Sequence, residues 1–274
     1  MADNTEKTST PDYTMGYEKG AVERLSRFTA ETEAAYLMAH LRPGMRLLDV
    51  GCGPGNISVG LASAVAPGEF HGIDMKESQV ELAITAANDG GHSNARFQVA
   101  DALYLPFPDN HFDAVHCHSF LMHVPDTMAV LAEIKPVLKE GGVLGAREPI
   151  VEKFFIEPDI GHLNKFWAIF SAVMIANGGH TDMGKELRAR FTEAGFVKVV
   201  ATGALETWGS PSETATLAEY VEYVMRGTVD DQAIAHGITT KDEIDALQEA
   251  MEVWKEDPGA FAAFSWGECP GRKP

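Results

Sequence analysis

The chain has 274 residues, 45% of them hydrophobic, with 40 acidic against 22 basic side chains and a formal charge of −18. This length can bury the core of one elaborated α/β domain, and so acidic a surface repels phosphate backbones, which argues against a nucleic-acid substrate. Three scattered cysteines (Cys52, Cys117, Cys269) give no metal-ligand spacing or disulfide framework, and neither a signal peptide nor an apolar run of about 18 residues is visible, so a cytoplasmic protein without metal or membrane span is expected.

From Tyr17 to His40 the pattern is helical, with a break near Thr29. Strands and helices then alternate. "RLLDV" reads as a buried strand and "NISVGLASAVA" as a helix stopped by Pro67 and Gly68. "EFHGID" is a second strand, followed by a helix from Ser78 to about Asn88. "ARFQVAD" and "FDAVHCH" are the third and fourth strands. A helix from Thr127 to Leu138 precedes "VLGARE", the fifth. Short apolar strands separated by single helices predict a doubly wound parallel sheet, with ligands beyond the carboxyl ends of the strands.

After Pro149 the rhythm changes. An aromatic, helix-prone segment holds Phe154, Phe155, Phe166, Trp167, Phe170 and Met174. A helix over "ELRARFTEAGF" leads into the strand "VKVVATGALE". Two helices follow, the second with Thr240 and Glu243 spaced as a capping box, and "AFAAFSWGE" closes the chain as a strand. The chain thus divides into an N-terminal helical lid (1–40), a ligand-binding core (41–150), and a variable helical region carrying the last two strands (151–274), all within one domain. The inserted helices are equally suited to form a lid or to cover the sheet.

The loop Gly51-Cys52-Gly53-Pro54-Gly55 joins a strand containing Asp49 to a helix. A dinucleotide fingerprint requires its third glycine at the sixth position; here that position is Asn56, and a glycine stands fifth. Asp74 ends the second strand, where a carboxylate can accept from both ribose hydroxyls, and Asp101 ends the third, where it can accept from an exocyclic amine. Taken singly, each acid is equally a turn former. Together with the loop, on consecutive strand ends, they point to an adenosine-containing ligand.

"LLDVGCGPG", "GIDMKES", "VADALYLPFPDNHFDAV" and "AVLAEIKPVLKEGG" resemble the successive motifs of class I S-adenosylmethionine-dependent methyltransferases, most closely the UbiE/COQ5-like branch. The resemblance is strong over residues 35–150. It implies a Rossmann-like seven-stranded sheet with its last strands antiparallel, and S-adenosyl-L-methionine as cofactor. It further implies that Asp49, Gly51, Gly53 and Gly55 shape the loop beside the methionyl part, that Asp74 and Gln79 hold the ribose, and that Met75 packs on the adenine. Asp101 and the Ala102 backbone would read the adenine edge, and His118 would lie under the methionyl group. Where the family reads "E-x-x-R-V-L-K-P-G-G", this chain has Glu133, Lys135, Pro136 and "KEGG".

Methyl transfer is an in-line displacement, so alignment of donor and acceptor carries most of the catalysis. A base helps where the acceptor must lose a proton. His123, in the loop after strand four, is the first choice; Tyr17, on the N-terminal helix, and Glu148, after strand five, are further catalytic candidates. His162 and His180 lie in the variable segment, and Cys117 reads as packing. The Asn/Asp-Pro-Pro-aromatic tetrad of nucleobase amine methylation is absent, since "HSFL" follows strand four, and three cysteines are too few for arsenite chemistry. The expected partner is a small, partly apolar methyl acceptor presenting O, C, N or S; a homodimer is compatible with this reading. The alternatives are an NAD-dependent oxidoreductase and a catalytically silent S-adenosylmethionine-binding regulatory protein.

Overall fold

Short runs of four to seven residues, each closed by a polar or glycine-rich turn, line up as one half of a sheet, from its edge at β3 to its centre. In the structure, a computed structural model describing Thr14 and residues 27–274, these are β1 (Leu47–Val50), β2 (Phe70–Asp74), β3 (Ala95–Val99) and β4 (Phe112–His118). β5 (Leu138–Glu157) pairs with β4 in parallel; β6 (Thr202–Trp208) and β7 (Phe261–Arg272) add antiparallel pairs. The order is β3-β2-β1-β4-β5-β7-β6. The chain reverses its direction of travel across the sheet between β1 and β4, and a crevice at such a switch point is where open α/β sheets bind ligands. Val50 stands opposite Ile73 on one side and Cys117 on the other, so these strands end nearly level there.

Strand residues alternate between two packed faces. Leu47, Ala114 and Val143 join the cluster formed with α1 (Ala30–Glu33), α2 (Ala35–Met38) and α3 (Asn56–Val65). Leu48, Val50, Val115 and Leu144 face the opposite cluster, with Val130 and Ile134 of α5 (Thr127–Val137) and Leu187 and Phe191 of α7 (Met183–Glu193). α4 (Glu77–Asp89) lies along β2 and β3. α6 (Lys165–Ala176), α8 (Pro211–Met225), α9 (Thr228–Ala235) and α10 (Lys241–Trp254) form the inserted region. Among the described residues, no helix is long and apolar enough to cross a membrane.

Several boundaries differ from the sequence reading. The break near Thr29 is a helix cap, with the Thr29 hydroxyl accepting from the Thr32 amide. β5 continues past Pro149 to Glu157, so position 150, expected as a boundary, lies inside a strand sustained by β7. Val197 makes a single bridge to Arg272, and β6 proper starts at Thr202. Three helices, not two, separate β6 from β7. The reciprocal capping box is at Ser210 and Glu213; at α10 the Thr240 hydroxyl caps the helix while Glu243 turns to the Thr239 hydroxyl. Tyr17 and most of the expected N-terminal lid lie outside the described residues.

Candidate active site

The three loop glycines serve different ends, although all have positive φ, the left-handed region that side chains resist. A Cβ on Gly51 would lie 2.5 Å from the Phe120 ring, and one on Gly55 would lie 2.7 Å from Ala83 Cα. Gly55 therefore lets α3 begin against α4, a close-packing role comparable to that of the sixth-position glycine in dinucleotide loops. A Cβ on Gly53 would meet nothing within 4 Å. Gly53 leaves its stretch of backbone open for close approach, as a cradle for a cofactor requires.

Asp49 stands behind the loop and not in it. The residue is 3% exposed, and its carboxylate accepts from Ser58 Oγ at 2.6 Å and from His116 Nδ1 at 2.8 Å. Two elements flanking the loop, α3 and β4, are thereby fastened to the end of β1. The expectation that Asp49 shapes the loop fits this position; direct cofactor contact does not, because both oxygens face the interior.

Asp74 borders the loop directly. Its Oδ2 accepts from the Gly53 amide at 3.1 Å and its Oδ1 from the Lys76 amide at 2.9 Å. Burial raises its pKa above the ordinary carboxyl value, and the amides of Lys76 and Gly53 oppose that shift. Each oxygen keeps a second lone pair that could take a hydroxyl. The Ala100 amide donates to the Asp74 carbonyl, which brings the β3 exit beside the β2 exit. Asp101 is exposed there, with Oδ1 accepting from the Leu103 amide. Met75 is 55% exposed on the same edge, and Ala102 is half-buried. Gln79 is buried on the first turn of α4.

The β4 exit carries a different chemistry. His118 is buried, its ring stacked on Trp266 at 5.4 Å and edge-on to Phe28 at 5.4 Å. Arg147 lies over the Trp266 ring, its guanidinium carbon 4.1 Å from the centroid, and pairs with Glu33 and Glu268. The Tyr36 hydroxyl is buried, and burial raises its pKa well above the ordinary value.

Glu148 requires a correction. It lies within β5, fully buried, and accepts from the amides of Phe120 at 3.0 Å, Leu121 at 2.8 Å and Met122 at 3.1 Å. Burial pushes its carboxyl up to about 7 even against those three donors. Glu148 is thus a clamp on the loop after β4, its carboxylate taken up by backbone amides. His123 closes the 3-10 turn Leu121–His123 of that loop, half-buried, and burial pushes its imidazole down to about 4. Cys117 is fully buried, with its thiol pushed well up by burial.

The sequence reading did not single out His116, Arg147, Phe120 or Trp266. His116 had a visible signal, since "HCH" at the end of a strand sends both histidines to one face. Trp266 and Arg147 come together only because β5 and β7 pair antiparallel.

A seven-stranded sheet in this order, with a glycine loop after β1 and acids at the β2 and β3 exits, defines a class I S-adenosylmethionine-dependent methyltransferase. A family model described as a methyltransferase domain matches residues 41–195, more than half of the chain. The probable methyltransferase ltbC of Aspergillus luteorubrus is 30% identical over 271 residues, covering 93% of this chain and 94% of the relative. Demethylmenaquinone methyltransferase of Geobacillus kaustophilus is 35% identical over 175 residues, 58% of this chain and 74% of the relative. The solved phosphoethanolamine N-methyltransferase 2 of Haemonchus contortus, in complex with S-adenosylhomocysteine, superposes with a TM-score of 0.56 at 18% identity, covering 89% of this chain and 53% of that one. The chain belongs to the methyltransferase family, in its UbiE-like branch, and its cofactor is S-adenosylmethionine.

Proposed function

We propose that the chain methylates a small, partly apolar acceptor whose hydrocarbon part lies against an aromatic wall leading away from His118. The observation that carries this reading is the continuity of that wall. Trp266 stacks on His118 and sits 5.3 Å from Phe264; Phe264 is 4.8 Å from Trp167, which is 5.2 Å from Phe154. All four aromatic residues come from the region after Pro149, where family members would differ in acceptor. The Trp167 indole nitrogen is buried without a hydrogen-bond partner among the described residues, so the wall carries a donor for a polar atom on the acceptor.

In this reading Asp74 takes the ribose hydroxyls with help from Gln79, Met75 covers the adenine, and Asp101 with the Ala102 backbone reads its edge. The Gly51–Gly55 loop, braced by Asp49, receives the amino-acid part, and His118 borders the methyl position. Bound S-adenosylmethionine supplies a methyl group made electrophilic by its sulfonium. The protein's task is then in-line alignment with an O, C, N or S nucleophile. An imidazole that holds a proton only below about pH 4 is a poor base near neutrality, so His123 orients the acceptor through a hydrogen bond. The reaction is assigned to the cytoplasm, without a nucleic-acid substrate.

Isotope-labelled donor offered with a panel of quinols, phenols, thiols and amines tests this. Transfer to an apolar-ring member is expected, with Trp167→Ala raising its KM more than it lowers kcat. Donor binding with no transfer across the panel would favour a silent cofactor-binding protein, and calorimetry with NAD checks the oxidoreductase alternative.

A further inference from the structure

At the opposite end of the sheet, three metal-type ligands from two distant parts of the chain converge. Glu69 immediately precedes β2, His71 is its second residue, and His111 immediately precedes β4. One ligand atom from each lies within 4.8 Å of the others. The pair Glu69 and His71 is two residues apart, so both side chains leave the same face of the extended chain. His111 arrives from the far side of β1.

The two imidazoles are held by rings. His71 stands edge-on to Phe107 at 5.5 Å and to Phe112 at 5.7 Å. His111 is edge-on to Phe112 at 4.7 Å and stacks parallel to Phe107 at 6.5 Å. This fixes the direction of both imidazoles in a partly desolvated setting, while Glu69 stays exposed at the mouth.

We infer that Glu69, His71 and His111 form a binding site for a borderline first-row divalent cation of the zinc type. Two imidazoles and one carboxylate match that ion's preferences, leaving a fourth position for water. Bond lengths of about 2.0–2.2 Å put tetrahedral ligand atoms about 3.3–3.6 Å apart. With the ligand atoms within 4.8 Å of one another, the cluster closes by up to about an ångström as it binds. Hard magnesium favours an all-oxygen octahedral shell and fits this donor set poorly.

Arg46 is the resident competitor. Its Nε lies 3.1 Å from Glu69 Oε2, and both side chains are about half exposed. The backbone amide of Arg46 donates to Asp113, which also pairs with Lys139. A cation on Glu69 displaces the Arg46 guanidinium and leaves the rest of this network in place. His71 precedes Asp74 by three residues, about 10 Å along β2, so the site is separate from the cofactor edge. Its effect is to clip the start of β2 to the start of β4 across β1.

Calorimetry on the chelator-treated 274-residue chain, with zinc chloride and separately magnesium chloride, tests the assignment. One zinc equivalent is expected, with His71→Gln and His111→Gln each weakening it more than tenfold and His92→Gln leaving it unchanged. Arg46→Gln is expected to tighten zinc binding, a response that scattered surface histidines would not give. S-adenosylmethionine affinity should stay the same with and without zinc in every variant. His111, half-exposed and outside any strand, keeps the test available if His71→Gln fails to fold. Zinc affinity within a factor of two of the parent in His111→Gln, magnesium uptake equal to zinc, or no uptake at all would overturn the assignment.

Discussion

Asp49 and His116, on neighbouring strands, meet through a 2.8 Å bond between Oδ1 and Nδ1, and both side chains are buried beneath the glycine loop. With the Ser58 hydroxyl on the other oxygen, one carboxylate serves two buried donors. Asp49→Ala leaves both without an acceptor, and each such orphan costs about 1–3 kcal/mol. Asp49→Asn keeps one carbonyl oxygen. Denaturant unfolding is expected to rank stability as parent, then Asn, then Ala, with the Ala variant about 3 kcal/mol below the parent. Equal stability of all three would show that the triad carries no net energy.

Asp74 accepts two backbone amides and is proposed to accept two ribose hydroxyls as well. Asp74→Ala should weaken S-adenosylmethionine binding by about 1.5–3 kcal/mol, the range for hydrogen bonds to a charged group. Calorimetry reads this directly, and unchanged affinity would reduce Asp74 to a turn residue.

The three loop glycines should separate by readout. Gly51→Ala and Gly55→Ala drive a methyl group into Phe120 and Ala83, so both should lower stability and binding together. Gly53→Ala meets no atom within 4 Å and carries only the left-handed strain of about 1–2 kcal/mol. Its melting temperature should fall least of the three, while its cofactor affinity falls at least as far as theirs.

The loop after β4 holds two groups shifted in opposite senses. Glu148, raised from 4.5 to about 7, contributes stability that is complete below pH 4.5 and is lost as pH rises to about 7. His123, lowered from 6.5 to about 4, contributes stability that is present above pH 6.5 and is lost as pH falls to about 4. Each shift is worth about 3 kcal/mol at most, and the two oppose each other between pH 4.5 and 6.5. Parent stability should therefore be nearly flat there as far as these groups decide it. His123→Gln should lose stability as pH rises through that window, and Glu148→Gln as pH falls through it. Parallel profiles for the two variants would contradict the opposed shifts.

Strands β1 to β4 were legible because their local signals agree: apolar runs, helix periods and glycine stops all favour one answer. The β5 extension was hidden, since Pro149 reads as a stop until β7 is seen pairing alongside it. At the site, Asp74 and Asp101 occupy the edge their strand-end positions predicted. Asp49 shows where such reasoning ends. An acid at the end of a strand looks the same whether it faces a ligand or the interior, and here the decision rests with His116, 67 residues away. Glu148 was misplaced for a similar reason, because nothing near it in sequence announces three amides arriving from residues 120–122.

Arg147 and Glu148 are consecutive in β5, so their side chains leave opposite faces of the sheet. The guanidinium meets Glu33 and Glu268 on one side, and the carboxylate meets three amides on the other. A slip of β5 by one position exchanges the two faces. It would aim a cation at N–H donors and an anion at two other anions. The alignment of β5 between β4 and β7 is thus written in charge as well as in apolar pattern, and a misaligned strand is penalised on both faces at once.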